Sequence, residues 1–401
     1  MLVLKEKKEC TGCGACAAKC PQNAIEMKPD EEGFLYPDIQ NDICIHCDIC
    51  MKICPQNGND YVNQGAIEFW GGKIKDETIL MKSSSGGAFS AICNVLDDDA
   101  IICGATYDDE LKVHHRWCVN GDEIDIFRKS KYLQSNVGDI YGKVKRFLNE
   151  GKTVLFSGTA CQVSGLYAYL GDKPDRLYTV DLICHGVPSQ KVFDSYLRSL
   201  QKKEGFDICK FSFRDKSYFW GDWEIGTAFG NDKQWKHQAW GQDFYMSGFL
   251  RAMFYRPVCY SCQYANSEIK RPADLTIGDF WGSKSVNPSY DDKKGSSLIV
   301  VNSEKGNALI LKMQEIMELT LVDRERAVRE NHNLIEPTKE NQKREEFFQR
   351  LNQGQDFLDI MKDYRKGTSH SQKIRVLFTK IAPWIVERKR RKVRQERQSR
   401  I

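Results

Sequence analysis

The sequence predicts an α+β protein: a small cysteine-rich N-terminal domain, then a larger α/β domain with a mixed sheet, then a basic, helical C-terminal tail. The predicted bounds are residues 1–62, 70–345 and 346–401. Two observations support this division. Two matched cysteine runs lie before residue 60, and apolar strands alternate with helical stretches after Gly71 and Gly72. A chain of 401 residues is long enough for two separate cores.

Both cysteine runs follow the bacterial ferredoxin spacing C-x2-C-x2-C-x3-C-P, which holds a pair of [4Fe–4S] clusters. Three cysteines of a run bind one cluster, and the fourth binds the other cluster. The spacing therefore predicts a first cysteine set of Cys10, Cys13, Cys16 and Cys54, and a second cysteine set of Cys44, Cys47, Cys50 and Cys20. Two zinc knuckles are the alternative, and two intact four-cysteine runs argue against them. Gly12 and Gly14 permit positive φ angles that turn N–H groups toward sulfur.

Composition indicates a reducing compartment. Sixteen cysteines are many for a cytoplasmic protein, where disulfides are rare, so metal ligation is the expected reason for the count. The first residues contain no apolar signal-peptide core, and no stretch approaches the ~20 apolar residues of a membrane span. We therefore expect a cytoplasmic protein.

The tail holds the positive charge. Residues 387–401 contain eight basic and two acidic residues, against a net charge of +4 for the whole chain. An apolar stripe that contains a tryptophan precedes these basic residues. The combination suits peripheral contact with the anionic inner face of a membrane. A solvated basic helix end is the alternative. Nothing else in the chain supports nucleic-acid binding, so none is expected.

The large domain is expected to fold as alternating strands and helices around one mixed sheet. It contains neither a G-x-G-x-x-G nor a G-x-x-x-x-G-K-[ST] motif, so the sequence indicates no Rossmann dinucleotide site and no P-loop. The predicted strands are Ala100–Ala105, Val113–Val119, Thr153–Phe156, Tyr178–Ile183, Lys210–Phe213, Glu224–Phe229, Leu275–Ile277 and Leu298–Val301. The predicted helices include Gly87–Leu96, Ile140–Leu148, Gln190–Lys202 and Lys305–Leu319.

Four cysteines of the large domain form a third cysteine set: Cys161, Cys184, Cys259 and Cys262. Cys161 and Cys184 each follow a predicted strand, and strand ends converge at one edge of an α/β sheet. Spacing alone leaves two interpretations open. The set forms one joint site, or it is a zinc knuckle beside two free core thiols.

Six motifs in this order resemble the family of coenzyme F420 hydrogenase/dehydrogenase beta subunits, with a ferredoxin-type N-terminal extension. They are Ser83-Ser-Ser-Gly-Gly-Ala-Phe89, Ser130-Lys-Tyr-Leu-Gln-Ser135, Gly158-Thr-Ala-Cys-Gln162, Cys184-His-Gly-Val-Pro188, Cys259-x-x-Cys262 and Arg271-Pro-Ala-Asp-Leu-Thr-Ile-Gly-Asp-Phe-Trp-Gly282. The resemblance covers roughly residues 1 to 340. It implies that the large domain binds FAD without a Rossmann fold, beside a [4Fe–4S] cluster held by the third cysteine set.

The same resemblance implies a set of flavin-binding residues: Ser85, Gly86, Gly87, Ser130, Lys131, Tyr132, Thr159 and Gln162. Asp279, in the turn after the predicted strand Leu275–Ile277, is a further candidate that would bind the ribityl chain of the flavin or a substrate. The serine–glycine run opens a helix, and free N–H groups at a helix N-terminus bind phosphate, although a plain N-cap is the alternative. Lys131 and His185 are the catalytic candidates. Lys131 would neutralise a pyrophosphate or a reduced flavin, and His185 would transfer a proton near neutral pH. A surface lysine and a locally hydrogen-bonded histidine are the alternatives.

These expectations describe an iron–sulfur flavoprotein oxidoreductase. Electrons would pass between a ferredoxin or another redox protein, the clusters, FAD and a hydride-exchanging small molecule, either a coenzyme F420-like compound or an intermediate of surface polysaccharide synthesis. The alternative is an electron-transfer subunit of a larger redox complex with no substrate site of its own. We also expect a homo-oligomer.

Overall fold

The computed structural model describes residues 5–58, 61–216, 226–290 and 294–366. The N-terminal region contains helix α1 (Ala15–Lys19), strands β1 (Ile25–Pro29) and β2 (Leu35–Ile39), and helix α2 (Ile49–Lys52). The two strands pair antiparallel, with Ile25 opposite Ile39. Each helix starts within a cysteine run, so the repeat seen in the sequence is also a repeat of local structure.

The rest of the described chain alternates strands and helices, as predicted. The elements are β3 (Glu68–Ile74), α3 (Glu77–Lys82), α4 (Ala88–Asn94), β4 (Ile101–Tyr107), β5 (Val113–Val119), α5 (Ile140–Asn149), β6 (Val154–Gly158), α6 (Ala160–Leu170), β7 (Leu177–Leu182), α7 (Gln190–Glu204), β8 (Lys210–Asp215), β9 (Gly226–Gly230), β10 (Trp235–Ala239), α8 (Phe244–Leu250), β11 (Leu275–Asp279), β12 (Ser297–Val301), α9 (Glu304–Met313), β13 (Met317–Leu321), α10 (Arg324–Arg329), α11 (Arg344–Asn352) and α12 (Phe357–Lys366).

Eight strands form one mixed sheet in the order β13-β3-β12-β11-β7-β6-β4-β5. The central pairs β4–β6, β6–β7 and β7–β11 are parallel, and the pairs toward both edges are antiparallel. The predicted large mixed sheet is confirmed. Strands β8, β9 and β10 form a separate antiparallel sheet.

Side chains of the central strands alternate between two cores. Ile102 of β4 and Leu155 of β6 face the core that contains residues of α4 and α9. Cys103 and Phe156, their chain neighbours, face the core that contains residues of α5 and α6. This period of two places helices on both faces of the sheet, and it puts β6 and β7 in the buried centre.

An aromatic-rich core joins the smaller sheet to helices α7, α8, α11 and α12. Phe193, Phe213 and Tyr245 lie at its centre, with ring centroids 5.2–5.6 Å apart. Rings at such distances add contact energy beyond the area they bury. This core supports the loops that follow β7 and α8, where Cys184 and Cys259 lie.

The N-terminal region is docked on this framework through buried polar contacts. The carboxylate of Glu32 forms an ion pair with Arg344, and the Ser189 hydroxyl donates to the Glu32 carbonyl. On the other side, the Lys19 ammonium donates to the Tyr169 carbonyl of α6 at 2.6 Å. These contacts fix the orientation of the cysteine runs relative to the large sheet.

Two sequence predictions are wrong in detail. The predicted helix Lys305–Leu319 ends at Met313, because residues 317–321 pair with β3 as an edge strand. The pair Gly71–Gly72, where we placed the change of pattern, lies inside β3. A Cβ on Gly72 would lie 2.1 Å from the Glu318 carbonyl oxygen, so the absence of a side chain is what admits β13 at this edge.

The tryptophan-rich stretch from Trp220 to Trp240 contains β9 and β10 in its described part. Residues 217–225 lie outside the described residues, including the first two of the predicted strand Glu224–Phe229. Helices α11 and α12 confirm helical structure up to residue 366. The basic cluster at 387–401 lies outside the described residues. No helix in the described ranges is long and apolar enough to cross a bilayer.

Candidate functional site

The first cysteine set comes together around the start of α1. Gly12 and Gly14 have φ angles of 66° and 76°, as the sequence predicted. The Gly12 N–H group points at the Cys10 sulfur at 3.4 Å, and the Ala15 N–H group bonds to the Cys13 sulfur. Burial raises the pKa of Cys13 to about 12, and the thiols of Cys10, Cys161 and Cys54 contribute to this rise. Cys54 therefore lies near the first run, and the assignment of these four cysteines to one cluster stays a prediction.

The second cysteine set lines a single cavity. All four of its thiols contribute to the wall, and isoleucines and Pro21 supply most of the remainder: Ile25, Ile39, Ile45 and Ile49. The Ala24 N–H group lies 3.3 Å from the Cys20 sulfur. An apolar cavity with four thiols around it suits a [4Fe–4S] cluster, whose potential depends on such shielding and on N–H···S bonds.

The second run achieves the conformation of the first without glycine. His46 and Asp48 occupy the positions of Gly12 and Gly14 in the repeat, and their φ angles are 52° and 57°. Left-handed backbone at a residue with a side chain is uncommon and carries a strain cost. The wrapping of a cluster by both runs explains why this conformation occurs twice.

Backbone N–H groups are directed at a sulfur of each N-terminal set: the Gly12 N–H group at Cys10 and the Ala24 N–H group at Cys20. Such donors stabilise the sulfur charge of a [4Fe–4S] cluster. In the described ranges, no three or more His, Cys, Asp or Glu side chains are arranged to hold one metal ion.

Alanine substitutions can separate the crosswise ligand sets. We expect Cys54→Ala to remove the cluster wrapped by Cys10, Cys13 and Cys16, and Cys20→Ala to remove the cluster wrapped by Cys44, Cys47 and Cys50. Iron analysis should show about four irons lost per chain in each variant. Electron paramagnetic resonance (EPR) should show that the two variants lose different signals. Loss of the same signal in both would contradict the crosswise assignment.

The third cysteine set also comes together. Cys161 lies in the first turn of α6, and Cys184 follows β7. Cys259 lies within a 3-10 turn (Pro257–Ser261), and Cys262 directly follows it. Burial raises the pKa of Cys161 to about 12 and of Cys184 to about 11, and the Cys262 thiol contributes to both rises. Burial, with the thiols of Cys184, Cys262 and Cys161, raises the pKa of Cys259. The role of the set as cluster ligands stays a prediction.

Helix α6 connects the first and third sets. Its first turn contains Cys161, and one turn later a Cβ on Gly165 would lie 3.1 Å from the Cys13 sulfur. The Tyr141 hydroxyl lies 2.9 Å from the carbonyl oxygens of both Cys13 and Gln162. The glycine allows the N-terminal region to approach the helix, so the two sets are separated by little more than one helix surface.

Several residues predicted to bind flavin meet around a side chain that sequence reasoning missed. Arg214 of β8 is 5% exposed and forms two 2.8 Å bonds with the carboxylate of Asp279. It also donates to the Ser84 carbonyl and, at 3.2 Å, to the Tyr132 hydroxyl. The Ser130 N–H group donates to the Ser84 hydroxyl at 2.7 Å. An arginine in a strand carries no motif, so no sequence signal indicated it.

Ser85, Gly86 and Gly87 pack tightly where α4 begins. A Cβ on Gly86 would lie 2.3 Å from the Gly72 carbonyl oxygen and 2.4 Å from the Ser297 nitrogen. The Ser85 hydroxyl donates to the Ser296 carbonyl at 2.7 Å. The Ser296 hydroxyl itself is buried with no hydrogen-bond partner among the described residues, so this corner retains an unused polar group.

The other predicted residues have internal partners. The Lys131 ammonium donates to the carbonyls of Ile126, Phe127 and Arg128, and burial lowers its pKa to about 7. It therefore caps a 3-10 turn in this structure, and a contact with flavin stays a prediction.

Gln162 is 2% exposed, and its amide is fully used. Its oxygen accepts from the Thr159 N–H group and hydroxyl, and its nitrogen donates to the Ser135 carbonyl and hydroxyl. The Thr159 hydroxyl lies 3.1 Å from the Cys161 sulfur. Both residues therefore hold the start of α6 in place, and their assignment to a flavin site stays a prediction.

His185 lies next to Cys184, with its ring stacked on Phe249 at 6.2 Å. Burial lowers its pKa, and the charge of Asp279 opposes this. A neutral imidazole can accept a proton, so the geometry is compatible with the predicted role, which stays a prediction.

Two family models match the chain. Residues 9–57 match the 4Fe-4S dicluster domain, and residues 151–326 match the C terminus of the coenzyme F420 hydrogenase/dehydrogenase beta subunit. The chain therefore contains the C-terminal domain of coenzyme F420 hydrogenase/dehydrogenase beta subunits, after a 4Fe-4S dicluster domain. The matched ranges contain all members of the three cysteine sets, and Arg214 and Asp279 fall within the second range.

Individual relatives agree with this family. A subunit of the F(420)H(2) dehydrogenase of Methanosarcina mazei is 23% identical over 225 residues, covering 53% of this chain and 63% of the relative. The chain thus spans less than two thirds of that relative's length. An uncharacterised ferredoxin of Methanocaldococcus jannaschii is 32% identical over 56 residues, or 14% of this chain and 70% of the ferredoxin.

Among solved structures, a chain of the F420-reducing [NiFe] hydrogenase complex from Methanosarcina barkeri is similar to this one. The TM-score is 0.46 at 16% identity, over 68% of this chain and 88% of that chain.

Proposed function

We propose that the protein is an iron–sulfur flavoprotein oxidoreductase that passes electrons between an external redox protein and a hydride-exchanging substrate. The observation that supports it most directly is the contact across α6, which brings the first and third cysteine sets side by side. The second set lies at the outer side of the N-terminal region, where Cys47 and Ile45 are exposed. The three sets thus form a series from the surface inward.

The chain's own residues would do three things in this function. Twelve thiols would hold three clusters, and N–H groups at the cysteine runs would stabilise sulfur charge. The isoleucines that line the second-set cavity and helix α6 would limit the access of water. FAD, when bound, supplies the exchange between one-electron and two-electron chemistry. Tyr132, Ser130, Ser85 and Asp279 would bind its polar groups, with Arg214 fixing Asp279. His185 would hold or release the substrate proton.

The N-terminal cluster pair is part of the family assignment, whereas the third cluster, FAD and the substrate are proposals. The division into residues 1–62, 70–345 and 346–401, the cytoplasmic location and the homo-oligomer are also proposals. So is contact of the basic tail with a membrane.

Reduction of the oxidised protein by candidate donors tests which redox partner supplies its electrons. Anaerobic protein in its oxidised form should be reduced within seconds by one of three donors: NADH, reduced ferredoxin or reduced deazaflavin. We expect reduced ferredoxin to reduce the clusters first, because the second set lies nearest the surface. Flavin bleaching should follow, and Cys20→Ala should slow it at least tenfold. Rapid flavin bleaching by ferredoxin in Cys20→Ala would contradict entry through the second set.

A second function has one observation in its favour: the matched Methanosarcina mazei relative is a subunit of a dehydrogenase. On that basis the chain would be an electron-transfer subunit whose partners perform the catalysis. Gel filtration of the native protein separates the two. Large stable partners favour the electron-transfer subunit, and a homo-oligomer that retains substrate reduction favours the enzyme.

A further inference from the structure

A buried arginine lies where the N-terminal region meets the third cysteine set. Arg256 is 0% exposed and immediately precedes the 3-10 turn that contains Cys259. Its backbone joins both parts of the third set, because its N–H group donates to the Val187 carbonyl and its carbonyl accepts from the Cys259 N–H group, each at 2.9 Å. An arginine is almost never fully buried unless its charge and donors are satisfied, so its partners indicate its role.

The guanidinium reaches away from the third set and into the first. Its Nε donates to the Cys10 carbonyl at 2.7 Å, and its Nη2 lies 3.7 Å from the Cys10 sulfur. Nη2 also donates to the Leu35 carbonyl at 3.0 Å, and Nη1 donates to the Gln134 side-chain oxygen at 3.1 Å. The Tyr36 ring lies 4.2 Å from the guanidinium carbon. One side chain therefore connects both regions.

The contact depends on a glycine. A Cβ on Gly12 would lie 2.6 Å from Arg256 Nη1, so any side chain at that position would push the guanidinium away from the first cysteine run. Gln134 completes the arrangement, because its amide nitrogen donates to the Thr11 carbonyl at 2.9 Å. The arginine fits into the run that wraps the first cluster.

The positive charge of Arg256 has no carboxylate partner within 4 Å among the described residues, unlike Arg214, Arg271 and Arg344. The guanidinium lies beside a sulfur instead, because its Nη2 is 3.7 Å from the Cys10 sulfur. A buried charge that no carboxylate neutralises favours added negative charge nearby, because the low dielectric leaves it little screened.

We propose that Arg256 is a positioning residue that sets electron transfer between the first and third cysteine sets. The inference rests on the proposed function. One electron from an external reductant adds one negative charge to a cluster and breaks no bond. The fixed guanidinium stabilises that charge at the first set and so raises its midpoint potential. Its hydrogen bonds to Cys10, Leu35 and Gln134 hold the two sets at a constant separation.

The test is a potentiometric titration of the full-length, anaerobically purified protein, followed by EPR. The EPR signal to follow is the one that Cys54→Ala removes. In Arg256→Gln, the equilibrium constant for one-electron reduction of that cluster should be tenfold smaller, so its midpoint potential should be about 59 mV lower. For the clusters that give the other EPR signals, the equilibrium constant of one-electron reduction should change less than threefold. Arg256→Lys keeps a charge but loses the planar fork, so the reduction of the same signal should become about fivefold less favourable, which is beyond the threefold bound for the other signals.

Arg344→Gln is the matched control. Arg344 is also a buried arginine that joins the N-terminal region to the large domain, through Glu32, and no cysteine sulfur is among its described hydrogen-bond partners. Arg344→Gln should weaken the contact between the N-terminal region and the large domain. The equilibrium constant of reduction for every EPR signal should stay within threefold of its original value. An equal shift in Arg344→Gln would mean that docking alone sets the potential, and would overturn the proposal.

Unchanged potentials in Arg256→Gln with full iron content would also overturn the proposal. If Arg256→Gln does not retain its irons, Arg256→Lys decides, and an unshifted first-set signal there overturns it. Failure of the proposed function is distinguishable. A parent protein with about eight irons lacks the third cluster, while the first-set potential still reports on Arg256.

Discussion

Replacement of Cys262 by alanine should remove about four of about twelve irons per chain and leave both N-terminal clusters intact. Cys262 belongs to a partly buried four-thiol set, and loss of one ligand leaves a cluster there with an open iron position. The N-terminal sets share no cysteine with it. Iron analysis and EPR of the anaerobically purified variant should show one signal lost and two retained.

Cys209→Ala is the matched control for this experiment, because Cys209 is an exposed cysteine before β8 that belongs to none of the three sets. It should retain all irons and normal reduction of bound flavin by ferredoxin, whereas Cys262→Ala should lose that reduction. An unchanged iron content in Cys262→Ala would contradict the third cluster and restore the interpretation with separate thiols.

Replacement of Arg214 by methionine should lower the free energy of unfolding by about 3 kcal/mol and abolish FAD retention. The substitution leaves the Asp279 carboxylate without its two-bond partner in a site where Arg214 is 5% exposed. It also removes the donor to the Ser84 carbonyl and the Tyr132 hydroxyl. Urea unfolding and flavin absorbance of the purified variant measure the two effects.

The double variant Arg214→Met with Asp279→Leu separates these effects. Replacing both partners of a buried pair by apolar residues of similar size is often close to neutral, so stability should recover. FAD retention should not recover, since the polar groups are gone. Lys28→Met, which removes an exposed ion pair with Asp38, should change stability by less than about 1 kcal/mol. A double variant that binds FAD normally would contradict the proposed flavin site.

The parts of the site that depend on spacing could be predicted from the sequence. A cluster needs thiols at short, fixed intervals, so the spacing of the runs around Cys13 and Cys47 predicted the N-terminal cluster pair. Cysteines at strand ends indicated a third set as one of two interpretations. Strands with continuous apolar residues, such as Val154–Gly158, were recognisable because both faces are buried. The helix start at Ala88 followed from the serine–glycine run.

The residues that join distant segments could not be predicted. Arg214 and Arg256 have no local motif, and each becomes significant only when β8 or the 3-10 turn meets another part of the chain. Residues 317–321 continue an amphipathic helical pattern, and only pairing with β3 makes them a strand. The residue types of His46 and Asp48 likewise do not predict a left-handed backbone, because the cysteine run that contains them imposes it.

The most direct test of the central claim, that three clusters and a flavin form one redox chain, is the cofactor content of the anaerobically purified protein. Iron, acid-labile sulfide and flavin should be determined on the same sample as the protein concentration. We expect about twelve irons, about twelve sulfides and about one FAD per chain. About eight irons with no flavin would contradict it and leave an N-terminal cluster pair attached to a domain of another function.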